Sequence, residues 1–181
     1  NTTGLLHALV QQGAGKRFPQ QVALGLLFDP ASAQAAHAAG VGAVIELALG
    51  TAVPTYAGMS PPPLQGAFTV RALSDGQTVL RGPMMTGAPI DLGLSACLEI
   101  DGIWVAVVSG KVQLLDRVLL SMLGIEAETM RIIGVKSSNH FRADFTPIAS
   151  HVLVCKSNAP MAADPADLPW QHLPATTRMR P

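Results

Sequence analysis

Apolar positions along this chain switch between two periods. Leu5, Leu6, Leu9 and Val10 recur at helical spacing, with Thr2 or Thr3 placed to cap and Gly13 to stop, so the spacing predicts a first helix. Val22 to Phe28 is a near-continuous apolar run of strand length. Asp29-Pro30 follows, an N-cap residue with proline in the first helical position, and an alanine-rich helix then runs to Ala39 and stops at Gly40. Val41 to Leu49 is strand-like again, with Ile45, Leu47 and Leu49 on one face. Strand, helix, strand reads as a βαβ unit, so the two strands are expected to be parallel, buried, and joined by a right-handed crossover in one sheet.

After a loop rich in proline and glycine, Thr51 to Pro63, the pattern turns antiparallel. Leu64 to Leu73 alternates, with Gln65, Thr69 and Arg71 opposite Phe68 and Val70, and Asp75-Gly76 turns the chain into Thr78-Val79-Leu80. Leu94 to Ile100 and Ile103 to Val108 flank Asp101-Gly102, a strong short-range hairpin signal that predicts a two-residue loop. Asp116 to Leu123 reads as a helix ended by Gly124, Arg131 to Val135 as a buried strand, Asn139 to about Phe145 as another helix, and Val152 to Cys155 as a strand closing the sheet. From Asn158, Pro160, Pro165, Pro169, Pro174 and Pro181 argue for an extended tail. The fold class expected is α/β: a mixed sheet with a parallel βαβ portion, antiparallel hairpins, and helices packed on it. The units expected are residues 1–157 as one α/β domain and 158–181 as the tail.

Composition narrows the function. The chain has 181 residues, with 49% hydrophobic and 13% charged side chains, and its twelve basic and twelve acidic residues cancel. Disordered chains are less apolar and carry more net charge. Nucleic-acid binders carry a basic surplus that is missing here. No apolar run is long enough to span a membrane. No signal peptide is visible, which gives a cytoplasmic expectation. The low charge leaves too little to solvate a full surface, so a longer parent chain or a homo-oligomer is expected to cover part of it. A small-residue-rich composition from a high-GC genome is the plainer alternative. Cys97 and Cys155 each sit in an apolar run and are expected to be buried free thiols.

The densest polar cluster is Lys136-Ser137-Ser138-Asn139-His140-Phe141-Arg142, between a buried strand and a helix. Ligands of open α/β sheets collect at the carboxyl ends of strands, and helix N-termini offer free N–H groups to anions. Lys136, Ser137, Ser138, His140 and Arg142 are therefore candidate binding residues, with Asp144, four positions after His140, placed to orient the imidazole. The plain alternative is a capped helix with Ser138 or Asn139 as N-cap. No catalytic or metal-ligating set emerges. Ser137 and Ser138 lie too close in sequence to His140 to act as its nucleophile, and His7, His37, His140, His151 and His172 lack ligand spacing. Glu46 and Glu99 read as exposed-face residues. Gly13-Ala14-Gly15-Lys16 follows a helix and lacks the Ser or Thr of a phosphate loop.

The stretch from Val135 to Phe145, with Pro147-Ile148-Ala149, closely resembles the hallmark segment of the MlrC family C-terminal domain. Phe28-Asp29-Pro30, His37 to Ala43, Val70 to Gly76, Arg81-Gly82-Pro83-Met84, Asp91-Leu92-Gly93 and Leu123-Gly124-Ile125 agree in order and spacing. The resemblance covers about residues 2 to 173. MlrC-type proteins (microcystinase C and its relatives) are zinc-dependent metallopeptidases. In them a glycine-rich segment precedes the Thr-Thr pair, and the metal ligands are thought to lie in a larger N-terminal domain. The resemblance thus implies the C-terminal domain of a metallopeptidase, inactive alone, partnered by the missing N-terminal domain of its own chain. It implies zinc in that parent and none in this fragment. The substrate implied is a peptide-like or anionic small molecule, by analogy a linear peptide such as an opened cyclic toxin. The rival reading is a non-catalytic module that binds a small anion or serves a structural interaction.

Overall fold

The computed structural model describes residues 2–162 and 164–179; Asn1, Ala163, Arg180 and Pro181, two of which bound the expected units, lie outside the described residues. Ten strands follow in chain order: β1 (Val22–Phe28), β2 (Val44–Leu49), β3 (Pro54–Thr55), β4 (Gly58–Met59), β5 (Leu64–Ser74), β6 (Gln77–Val79), β7 (Pro89–Asp91), β8 (Ser95–Ile100), β9 (Ile103–Val108) and β10 (Ile132–Val135). Helices are α1 (Gly4–Gln11), α2 (Ala14–Arg17), α3 (Pro30–Ala39), α4 (Val118–Ser121) and α5 (Arg142–Phe145). Six strands form one mixed sheet in the order β10-β1-β9-β8-β5-β2, and β3–β4 and β6–β7 make two small ribbons. This is the α/β class the patterning indicates.

β1 is the buried strand its apolar run predicts, with parallel partners on both sides, β10 and β9. The expected parallel pairing of β1 with β2 is not found. β2 lies at the far edge of the same sheet, pairs only with β5, and runs antiparallel to β1. Its residues alternate exposed and half-buried, with Val44, Glu46 and Ala48 outward. A strand buried between parallel neighbours would be apolar on both faces, so Glu46 was the signal against that pairing. The β8–β9 hairpin turns through Asp101 and Gly102 alone, both with positive φ (50° and 78°), as a two-residue turn of the primed kind requires.

Asp29 ties the first half together. Its Oδ1 accepts the Ser32 amide at 3.1 Å, capping α3, and its Oδ2 accepts the Gly50 amide at 2.8 Å, fixing the exit of β2. One face of the sheet packs under α1 and α3 through Leu6, Leu24, Ala33, Phe68, Leu98 and Val105. The other packs under α4 and the β6–β7 excursion through Leu92, Ala106, Leu114, Leu119, Leu120 and Phe145. The rejected phosphate-loop candidate belongs to α2, where a Cβ on Gly15 would stand 2.1 Å from the Asp101 carbonyl oxygen.

Three other expectations change. The helix read over Asp116–Leu123 is regular only over Val118–Ser121, where the buried Asp116 at its start binds distant backbone, and that over Asn139–Phe145 only over Arg142–Phe145, after a turn at Asn139–Arg142. Val152–Cys155 forms no strand: it pairs with neither edge strand of the sheet, β10 or β2. Cys155 is consequently exposed, whereas Cys97 is buried as expected. Among the described residues, 158–179 carry one short 3₁₀ turn, Pro165–Asp167. No described helix is long and apolar enough to cross a membrane.

Candidate functional site

β1, β9 and β10 run parallel, so Phe28, Val108 and Val135 end on one edge of the sheet. The chain leaves this edge as Lys136-Ser137-Ser138-Asn139-His140, the segment singled out from sequence. The Lys136 amide donates to the Gly25 carbonyl at 2.8 Å, continuing the ladder with β1 for one residue. Successive side chains of an extended chain point to opposite faces, and the segment divides accordingly. Lys136 turns toward α1, where Nζ donates to the Thr2 carbonyl at 3.2 Å. Ser137 turns the other way and its Oγ donates to Gln113 Oε1 at 2.9 Å. Lys136 is largely buried, and this desolvation pushes its ammonium pKa below the ordinary lysine value. Its side chain therefore lies on the opposite face from that of Ser137.

Ser138, Asn139, His140 and Arg142 are all exposed. The Arg142 amide donates to the Asn139 carbonyl at 3.1 Å, closing a turn ahead of α5, and the Arg142 guanidinium lies 5.3 Å from the Phe141 ring centroid. Neither Ser138 nor Asn139 caps α5, whose N-cap position is Phe141.

Asp144 does not orient His140. It is buried, and its carboxylate is taken by Arg117: Oδ2 accepts the Arg117 amide at 2.6 Å and Oδ1 accepts Arg117 Nε at 3.1 Å. Arg117 also pairs with Glu128. The hydrogen bond that Arg117 donates to Asp144 leads the causes that raise the Arg117 pKa above its ordinary value, against the opposing pull of desolvation. Beside this pair stands Asp116, 1% exposed, which accepts three backbone amides: Arg81 (2.7 Å) and Gly82 (2.6 Å) at Oδ2, Val118 (2.9 Å) at Oδ1. Gly82 fits between the two carboxylates; a Cβ there would lie 3.0 Å from Asp144 Cγ and 3.2 Å from Asp116 Cγ. A cleft of about 200 Å³ opens beside them, lined among others by Arg81, Ser121 and Glu128.

This network was not singled out from sequence. Its one visible mark was Asp116, a lone acid inside the apolar run Val112 to Leu120. Each of its oxygens is already engaged, so it holds the 81–82 loop against the start of α4. Among the described residues no group of three or more His, Cys, Asp or Glu is gathered to hold a metal ion, so this chain's own donors do not fit a zinc site. Of the remaining sequence candidates, His7 and His37 pack on the Pro62 and Ser95 carbonyls, at 2.9 Å and 3.0 Å. Glu46 is exposed, whereas Glu99 is half-buried and accepts from both Arg71 and Trp104.

No curated protein matches the chain. Among solved structures it is similar to a protein of Mesorhizobium sp. BNC1 named as a candidate metallopeptidase, with 25% sequence identity and a TM-score of 0.73. The match covers 90% of this chain and 32% of that one, so the chain spans about a third of its neighbour's length. Residues 1–172 match the family described as the MlrC C-terminus, and with nearly the whole sequence inside that match, the chain belongs to it.

Proposed function

We propose that this chain is the C-terminal domain of a metallopeptidase of the MlrC kind, and that its 137–142 segment forms one wall of a substrate cleft. The opposite wall, on a preceding domain of the same protein, carries the zinc. When bound there, zinc would supply an activated water and polarise the scissile carbonyl. This chain's residues would bind and orient. The carrying observation is the exposed set Ser138, Asn139, His140 and Arg142 at the carboxyl edge of β1, β9 and β10, beside the Ser137–Gln113 pair. Hydroxyl, amide, imidazole and guanidinium groups recognise carbonyls and carboxylates, which suits a peptide-like or anionic substrate. An opened cyclic peptide such as linearised microcystin is one member of that class. Ser137, tied to Gln113, sets the course of the segment, and Lys136 anchors it from behind.

The test is steady-state peptide hydrolysis by the full-length protein. Arg142→Ala is expected to raise KM at least about tenfold with an unchanged melting temperature, as for a group that holds an anion in ground and transition state alike. Unchanged kinetics would remove the segment from the cleft. A full-length protein that binds the anion but hydrolyses no peptide would favour the binding-module reading.

A further inference from the structure

Residues 150–156, Ser-His-Val-Leu-Val-Cys-Lys, have the composition of a strand and pair with no described strand. No backbone–backbone hydrogen bond among the described residues reaches 150–157. Leu153 is 83% and Val154 76% exposed. Yet the segment is held at its base. Phe145 is buried upstream, and downstream Asn158 accepts from Thr55 Oγ1 at 2.5 Å and donates to the Met59 carbonyl at 2.7 Å. Lys156 reaches Asp167 at 2.6 Å. An anchored arm with exposed apolar side chains and an unpaired backbone is built to join another sheet as a covered strand.

We propose that residues 150–156 dock as an added strand on the body that precedes this chain in its full-length protein. This rests on the reading of the chain as a C-terminal domain. Two observations select that occupant over a second copy. About two-thirds of the Mesorhizobium neighbour lies outside its match with this chain, enough for a body larger than this domain. The start of the chain also lies at the base of the arm: a Cβ on Gly4 would stand 3.2 Å from Ser157 Cβ, and Thr2 and Thr3 are fixed by Lys136 and the Pro62 carbonyl. Gly4, near the first described residues, thus lies beside the base of the arm. The partner surface is a sheet edge with apolar side chains above and below it.

Hydrogen exchange on the full-length protein tests this. The amides of 151–155 are expected to exchange at least about 100-fold more slowly than in an unstructured chain. Iodoacetamide is expected to modify Cys155 correspondingly more slowly than in urea. In Leu153→Glu/Val154→Glu the protection of 151–155 is lost while that of β1 remains. If that variant does not fold, the wild-type exchange decides alone. Free exchange of 151–155 in the folded full-length protein overturns the proposal. So does protection that appears only with dimerisation in sedimentation, which assigns the arm to a second copy. None of these readouts depends on hydrolysis, so a protected arm on a protein without peptidase activity keeps the docking and discards the peptidase.

Discussion

Two polar regions meet in α5, where Arg142 and Asp144 are separated by a single residue. Asp144 faces inward, to Arg117 and the neighbouring Asp116; Arg142 and His140 face outward, to solvent. In the inward region every charged oxygen of Asp116 and Asp144 has a donor, most of them backbone amides from loops far away in sequence. In the outward region four polar side chains lie open along one edge of the sheet. Both regions carry the residue types from which active sites are made. The difference lies in where the hydrogen bonds are spent. A carboxylate saturated by amides holds loops together, whereas an exposed imidazole and guanidinium keep their donors for something that arrives.

The largest break in that contrast comes from Asp116→Ala. Three amides would lose their acceptor at a buried site, at about 1–3 kcal/mol each, and relaxation of the 81–82 loop would recover part of this. A loss of about 4 kcal/mol in urea unfolding is expected. A loss below about 1 kcal/mol would mean water replaces the carboxylate, and the knot would then be open to ligands.

Arg117→Met comes next. Asp144 would keep the Arg117 backbone amide and lose the guanidinium, leaving a buried carboxylate short of charge compensation. Buried pairs cost about 3–5 kcal/mol when one partner is removed, but Arg117 is a third exposed and its bond to Glu128 is screened, so about 2 kcal/mol is expected. Glu128→Gln, at an exposed position, should cost a small fraction of that. Equal effects would shift the weight of the network from Asp144 to Glu128.

Local signals made much of the fold legible. Asp29-Pro30 marked α3 and Asp101-Gly102 marked the hairpin because each motif sets its own backbone angles. The position of β2 was not local. α3 could deliver the next strand beside β1 or beyond it, and only the alternation around Glu46 pointed to an edge. Residues 152–155 misled for the opposite reason: strand composition is local, whereas a ladder needs the chain to reach an edge, and this segment reaches neither β10 nor β2. In the site, Lys136 to Arg142 was readable because its polar residues are contiguous. The Asp116 network was not, since its partners at Arg81 and Gly82 are backbone amides 35 and 34 residues away, and any sequence supplies amides.

A smaller effect separates Lys136 from its exposed neighbours. Burial lowers its folded pKa below the ordinary 10.5, so the folded protein releases the proton first as pH rises. Between the folded value and 10.5 the unfolded chain holds more protons, and stability therefore climbs with pH across that window; below it, the charge is a constant penalty. In Lys136→Met the climb should vanish. Near neutrality the variant should be within about 1 kcal/mol of wild type, since the relieved desolvation is set against the lost bond to Thr2. Wild-type stability that falls steadily through that window would show the ammonium to be stabilised in place, and its neighbourhood to be an anion site.

The smallest expected effect on folding is the sharpest test of function. His140 is exposed, makes no recorded hydrogen bond, and lies outside both apolar cores. His140→Ala should therefore change the melting temperature of the full-length protein by no more than about 0.5 kcal/mol warrants. If the imidazole faces substrate, kcat/KM toward peptide should fall by at least about tenfold, equivalent to 1.4 kcal/mol of lost transition-state binding. A drop confined to kcat would place the ring at the reacting carbonyl, and one confined to KM would place it along the peptide. The same substitution in a segment that only leads the chain into α5 would leave both constants untouched. Stability lost with turnover per folded molecule intact would put His140 with Asp116 and Asp144, among the residues that hold the chain together.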